Sequence, residues 1–171
     1  MNTILSFEKQ QIIKAVSINN KRKYEQLTKE VEGLEISKLL GSAFYQDICK
    51  NPDKYENLLN GCLFIDYDGN TVEHLGLYFV IAYLVYASYI RESYINDTFT
   101  GFVKKTRPDS ELLSSGDLKN LETKNREIAF NAFELIKIYL EINSSNYPLW
   151  CCQRKTIVNN FKIYGIKNTR K

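Results

Sequence analysis

Four cysteines, one histidine and a few closely spaced acids are the residues in this chain whose types could carry chemistry. The cysteines are Cys49, Cys62, Cys151 and Cys152, and the histidine is His74. Zinc ligands usually come in pairs about two to five residues apart, and no such pair occurs here. Adjacent cysteines such as Cys151 and Cys152 rarely bridge each other. A single histidine excludes a multi-histidine metal site and leaves few options for a general base. Asp66 and Asp68 sit at a turn, where aspartate is common because its side chain bonds nearby backbone N–H groups. As two-metal ligands they would need further carboxylates, and the sequence does not bring Asp47, Asp53 or Glu73 to them. Phosphate-cradling glycine motifs are absent. The expectation is therefore reduced, packed cysteines, no metal, no cofactor and no enzymatic activity.

Positive charge offers a different chemistry. The chain holds 23 bases and 20 acids. Six of the bases (Arg154, Lys155, Lys162, Lys167, Arg170 and Lys171) fall in residues 151–171, which contain no acid; residues 1–150 keep 17 bases and 20 acids, a net of −3. A slightly acidic body thus carries a basic tail suited to nucleic acid or to an acidic protein surface. A second cluster, Lys104, Lys105 and Arg107, is either a solvated loop or a sequence-independent phosphate contact. No DNA-reading module accompanies it: neither a helix-turn-helix glycine turn nor a zinc finger is present.

The elements that position these residues read as one domain, 1–150, followed by a docking tail, 151–171. Leu75 to Ile90 is sixteen residues without a charge, LGLYFVIAYLVYASYI. It falls short of the roughly 20 apolar residues a membrane span needs, and its four tyrosines argue against one, so no membrane contact is expected. A helix apolar on every face must be covered on every face. The expectation is that neighbouring subunits do part of the covering, with Tyr78, Tyr83, Tyr86, Leu118, Leu121 and Ile128 as packing residues. Glu8, Lys9, Gln10, Gln11 and Lys14 interrupt any secretory segment at the start. Residues 1–20 read as an extended arm or strand on the strength of Ile12, Ile13, Ala15, Val16 and Ile18. Tyr24, Leu27, Val31 and Leu34 open a helix with Gly33 as its weak point.

Further on, Ser42 is expected to cap a short helix. Asn51, Pro52 and Asp53 read as cap, first position and dipole partner of the next. Cys62 to Glu73 reads as a β-hairpin turning at Asp68, Gly69 and Asn70. His74 is expected to be a cap or surface residue. Residues 98–115 form a polar, strand-like connector. Ser114 and Asp117 then resemble a capping box, opening a helix whose seam runs Leu118, Leu121, Asn125, Ile128, Ala132, Leu135, Tyr139, Ile142, widened to a core-facing stripe by Phe133, Ile136 and Leu140, with Glu122 and Arg126 as an i,i+4 pair. The fold class is mainly α: a helical bundle with two long central helices, a small β-hairpin and an extended C-terminal arm.

The order LLGSAFYQDI, NPDKYENLLNG, hairpin, LGLYFVIAYLVYASYI, TFTGFVKK and IKIYLEINSSNYPLW resembles the small head–tail connector proteins of tailed bacteriophages, closest to those of crAss-like phages. The resemblance spans about residues 24–150 and brings no catalytic residue. It implies a virion neck protein, assembled in the host cytoplasm, that forms a ring of typically twelve copies under the portal. Its implied partners are the portal, other neck and tail ring proteins, and double-stranded DNA passing non-specifically through the channel. On that reading Lys104, Lys105 and Arg107 line the channel. Portal docking falls to the tail, with Arg154, Lys155, Phe161, Lys162, Ile163, Tyr164 and Lys167 as contacts. The rival reading is a small nucleic-acid-binding regulator that uses the basic tail.

Overall fold

The computed structural model describes residues 3–93, 95–98, 101–104 and 114–150. Ser6 accepts a hydrogen bond from the Lys9 N–H and starts α1 (Phe7–Ile13). A 3₁₀ turn at Ile18–Asn20 leads into α2 (Lys21–Val31), which passes through a π-helical segment (Glu32–Ile36) to α3 (Ser37–Leu40). α4 (Ser42–Lys50), a 3₁₀ turn at Pro52–Tyr55 and α5 (Glu56–Asn60) follow. β1 (Cys62–Ile65) and β2 (Thr71–His74) pair antiparallel, with Cys62 opposite His74 and Ile65 opposite Thr71. α6 (Gly76–Ser93) leads to a second antiparallel hairpin, β3 (Ile95–Thr98) and β4 (Gly101–Lys104), and α7 (Ser115–Ile142) closes the bundle. The fold is mainly α.

α6 organises the interior. It packs most extensively on α7 and also touches α1, α2 and α5. Leu77, Val80, Ile81, Ala82, Leu84, Val85, Ala87 and Ile90 are all buried. Its aromatic residues are covered by the first helices rather than left bare. Lys9 lies 4.6 Å over the Tyr78 ring, Lys14 lies 4.5 Å over Tyr83 and 4.7 Å over Tyr86, and Lys23 lies 5.7 Å from Tyr89. Each lysine sets its ammonium against the face of an electron-rich ring. Tyr24 of α2 stacks on Tyr89 at 4.4 Å, and Gln10 donates to the Ala82 carbonyl at 3.1 Å. The chain therefore covers much of its most apolar helix by itself and leaves Tyr78, Phe79, Tyr83, Tyr86 and Tyr89 half-buried.

Other local expectations also change. Within the extended arm expected over residues 1–20, Phe7–Ile13 is a helix and Ile18–Asn20 a 3₁₀ turn. The Ser6 cap and the three-residue spacing of Phe7, Gln10 and Ile13 outweigh the β-branched composition, and Ile12 is left in solvent. Ser42 begins α4 without capping it, because Gly41 at φ 81° already makes the break. Asn51 donates to Asp47 at 2.8 Å instead of capping, while Pro52 takes the expected first position. Arg126 reaches Glu35 in the π segment at 2.5 Å, and Glu122 lies 4.0 Å from Arg91, so the expected i,i+4 pair is replaced by two long-range ones. The Ser114–Asp117 capping box is present in both directions. The buried face of α7 is Asn125, Ala129, Ala132, Phe133, Ile136, Tyr139 and Leu140. That face is the expected stripe: Asn125, Ala132 and Tyr139 of the seam with Phe133, Ile136 and Leu140 beside them, while Leu118, Leu121, Ile128 and Leu135 are half-buried and Ile142 is exposed.

The β1–β2 hairpin is tied at its root by two glycines. Gly61 (φ 94°) and Gly76 (φ 80°) face each other across the strand ends. A Cβ on Gly61 would lie 2.3 Å from the His74 carbonyl oxygen, and one on Gly76 would lie 2.4 Å from that of Leu59. Only glycine tolerates both the positive φ and the approach. Gly69, at φ 82°, has open space around it. Gly76→Ala is expected to cost about 2 kcal/mol or more, and Gly69→Ala only about 1 kcal/mol, the strain of the left-handed backbone alone. Urea unfolding of both variants checks the order; equal losses would place the cost in φ and not in contact.

Candidate functional site

The hairpin has two unlike faces. Its inner side carries Cys62 and Phe64 from β1 and Val72 and His74 from β2, as the strand alternation and register require. His74 is fully buried, against the expectation of a surface residue. Its ring lies 4.5 Å from Tyr139 and 5.9 Å from Phe64, and its Nε2 is 3.3 Å from Cys62 Sγ. Tyr139 and Tyr147 share a hydrogen bond of 3.0 Å behind it. The turn explains the pairing: centred on Asp68, one residue before the centre of the expected Asp68–Asn70 turn, it sets Cys62 opposite His74.

This Cys–His pair is not an activated nucleophile. Burial lowers His74 to about 4 and raises the Cys62 thiol, so both groups are neutral near pH 7. A reactive pair needs thiolate beside imidazolium. The acids do not converge either. Asp47 accepts from the Tyr55 hydroxyl, Asn51 and Lys54, and the Tyr55 bond leads in holding its carboxyl below the usual range. Asp66 accepts from the N–H groups of Asp68 (2.9 Å) and Asn70 (2.8 Å) and builds the turn. Among the described residues no group of three or more His, Cys, Asp or Glu could hold a metal ion, and no helix is long and apolar enough to cross a membrane.

The outer face of the hairpin is the unexpected feature. Leu63 and Ile65 of β1 are 67% and 63% exposed there, and Tyr67, in the turn beyond the strand, is 69% exposed. Tyr67 is anchored through its hydroxyl to Glu141 at 3.2 Å. Glu73 stands opposite Leu63, and Asp66 and Asp68 hold the tip. The strand alternation was legible in the sequence; which face turns inward was not, because Tyr139, the aromatic residue that Phe64 and His74 share, lies on the distant α7.

A buried carboxylate was also missed. Glu32, in the π segment, is fully buried and accepts from the backbone N–H groups of Ile4 (2.7 Å) and Leu5 (2.9 Å) and from the Tyr45 hydroxyl (3.0 Å). Burial raises its pKa, while those three donors pull it down. It fastens the start of the chain to the bundle.

Of the expected site residues, Tyr78, Tyr83 and Tyr86 are half-buried under Lys9 and Lys14, and Leu118, Leu121 and Ile128 are half-buried along α7. Burial lowers the pKa of Lys14, with nearby Lys124 adding to the shift. The backbone of Lys104 ends β4. Lys105, Arg107 and the tail residues Arg154, Lys155, Phe161, Lys162, Ile163, Tyr164 and Lys167 lie outside the described residues.

A family model described as a family of unknown function, DUF6712, matches residues 36–160. The chain belongs to that family. In this DUF6712 chain the matched stretch begins at the end of the π segment and continues past Trp150, so the shared sequence includes both hairpins, α6, α7 and the first part of the tail. No curated protein and no solved structure matches it.

Two outcomes follow for the DUF6712 bundle. Between pH 6.5 and 4 the unfolded chain protonates His74 and the folded chain does not. Stability therefore falls as pH drops through that window, by up to about 1.4 kcal/mol per unit. Glu32 has the opposite sign: its contribution is present below 4.5 and is lost as pH rises through its folded value. Urea unfolding from pH 7 to 4.5 should show a flatter acid decline in His74→Phe than in the parent; identical declines would mean a solvated imidazole. Glu32→Gln turns an amide N–H₂ toward donors and is expected to cost about 1–3 kcal/mol, with faster amide exchange at Ile4 and Leu5. Unchanged exchange there would remove the fastening role.

Proposed function

We propose that this chain is a non-enzymatic virion structural protein, an adaptor subunit that rings the exit of a phage portal and extends the DNA channel toward the tail. The observation that carries the reading is the α6–β3–β4–α7 unit. Two long helices lie side by side, and the chain joining them includes a two-stranded arm that ends at Lys104. Repeated about an axis, such arms form a wall with positive charge at regular intervals. That charge attracts phosphate without reading bases, as a channel that lets DNA slide requires. The tail, 151–171, is the portal-docking segment in this proposal, and many weak contacts repeated around a ring hold collectively.

Co-expression with the portal protein encoded by the same genome tests the proposal. The full chain should co-purify as a ring-shaped complex in electron micrographs. Removal of residues 151–171 should lower portal capture at least tenfold while leaving thermal unfolding of the bundle in place. Undiminished capture would remove the tail assignment, and absence of any complex would remove the adaptor. Titration of the free chain with duplex DNA at low and moderate salt should show weak binding. Tight binding with a steep salt slope would favour the regulator instead.

A further inference from the structure

Three half-buried rings on α6 form the floor of an open cleft. Phe79 stacks on Tyr83 at 4.4 Å, and Tyr86 follows one turn further on. Glu122 lies 4.0 Å from Arg91, and Tyr139 lies 4.5 Å from His74, so α6 and α7 run antiparallel in a fixed register. That register sets the three rings alongside the middle of α7, where Ile128 and Leu135 are half-buried. Lys14 stands over Tyr83 at 4.5 Å and over Tyr86 at 4.7 Å. Lys124 of α7 is close enough that its charge adds to burial in lowering the Lys14 pKa. Neither lysine has an ion-pair partner among the described residues. An apolar floor with uncompensated charge at its edge is the layout of a protein-binding face.

The β1–β2 hairpin carries the complement. Leu63, Ile65 and Tyr67 are exposed on it, and residues 62–74 contain Asp66, Asp68 and Glu73 and no base. Asp66 is committed to the turn, whereas Asp68 and Glu73 are exposed and make no ion pair among the described residues. A copy cannot bring its own hairpin to its own cleft. Tyr67 is bonded to Glu141, which lies about 25 Å along the α7 axis from Lys124 at roughly 1.5 Å per residue. The Gly61–Gly76 clasp holds the hairpin at that end. The occupant is therefore a second copy. Because the two faces are unlike, each docked copy keeps one of them free for the next, and contacts of that kind close into rings or run on as filaments. About 800 Å² per partner is usual for a stable pair. Two short strands and a turn offer less, so the contact is weak singly and holds through repetition.

We infer that the hairpin of one copy docks in the α6–α7 cleft of a second copy, with Leu63, Ile65 and Tyr67 on the Phe79–Tyr83–Tyr86 floor and with Asp68 and Glu73 meeting Lys14 and Lys124. The inference goes beyond the adaptor proposal: it concerns copies of this chain alone and stands whether or not a portal is their partner.

Photo-cross-linking on the full-length chain tests it. A copy carrying p-benzoylphenylalanine in place of Leu63 is mixed with a heavy-isotope-labelled copy, so that peptide masses separate contacts between copies from contacts within one. Cross-links between copies should fall on residues 79–86 or 124–135. Lys14→Glu/Lys124→Glu in the labelled copy should lower their yield at least tenfold. Asp68→Lys/Glu73→Lys in the copy that bears the probe should then restore it. A folding fault in the lysine variant could not be repaired from another molecule, so restoration reads the contact itself. Cross-links confined to the probe's own chain, cross-links to the hairpin of the other copy, or none at all would overturn the inference. So would a yield that ignores the lysine reversal. Portal capture is a separate readout, so failure here leaves the adaptor proposal standing, and the reverse holds too.

Discussion

The structure depends on one constraint: from Leu77 to Ile90, α6 carries no charge and must be covered along most of its circumference. Every other helix in contact with it is placed to meet that demand. α7 supplies the longest cover, while α2 and α5 pack on further sides. α1, short as it is, covers part of the remainder with a glutamine bonded to the α6 backbone and two lysines laid over tyrosine rings. Burying an apolar side chain is worth about 1.5–3 kcal/mol, so a helix with eight buried apolar side chains dominates the stability of so small a bundle. The tyrosines resolve the remaining conflict, since each is apolar along its ring and polar at its tip.

The start of the chain shows how that enclosure is secured. α1 is too short to persist alone. It is held by Glu32, whose carboxylate collects two backbone donors and a tyrosine hydroxyl. Glu32 opens the π-helical segment, and wide turns of this kind recur where a helix must re-aim a side chain. A carboxylate without a cationic partner among its hydrogen bonds is costly to bury, so the three donors are what keep the arrangement viable.

Much of the bundle was legible in the sequence because its signals are local. The Ser114–Asp117 box, Pro52 at a first helical position, the hairpin turn at Asp68–Asn70 and the uncharged run of α6 each involve residues within a few positions of one another. What escaped the sequence rests on distant partners. Arg126 chose Glu35, ninety-one positions away, over Glu122 one turn away. His74 is buried because Tyr139 and Phe64 close over it. Residues 7–13 are helical because α6 offers them a surface, although their composition suits a strand. The candidate site divides the same way. The alternation of Leu63, Ile65 and Tyr67 was plain, but their exposure follows from which aromatic residues α7 presents to the other face of the sheet.

The glycine clasp at the base of the hairpin has a consequence for how this chain can vary. Because Gly61 and Gly76 bring the two strand ends together backbone to backbone, residues 62–75 form a closed detour whose entrance and exit coincide. The angle between α5 and α6 is set at the clasp and owes nothing to the length of the excursion. Relatives can therefore lengthen, shorten or restyle the tip without disturbing the bundle, and a foreign peptide spliced in at Gly69 would be displayed on a fixed stem.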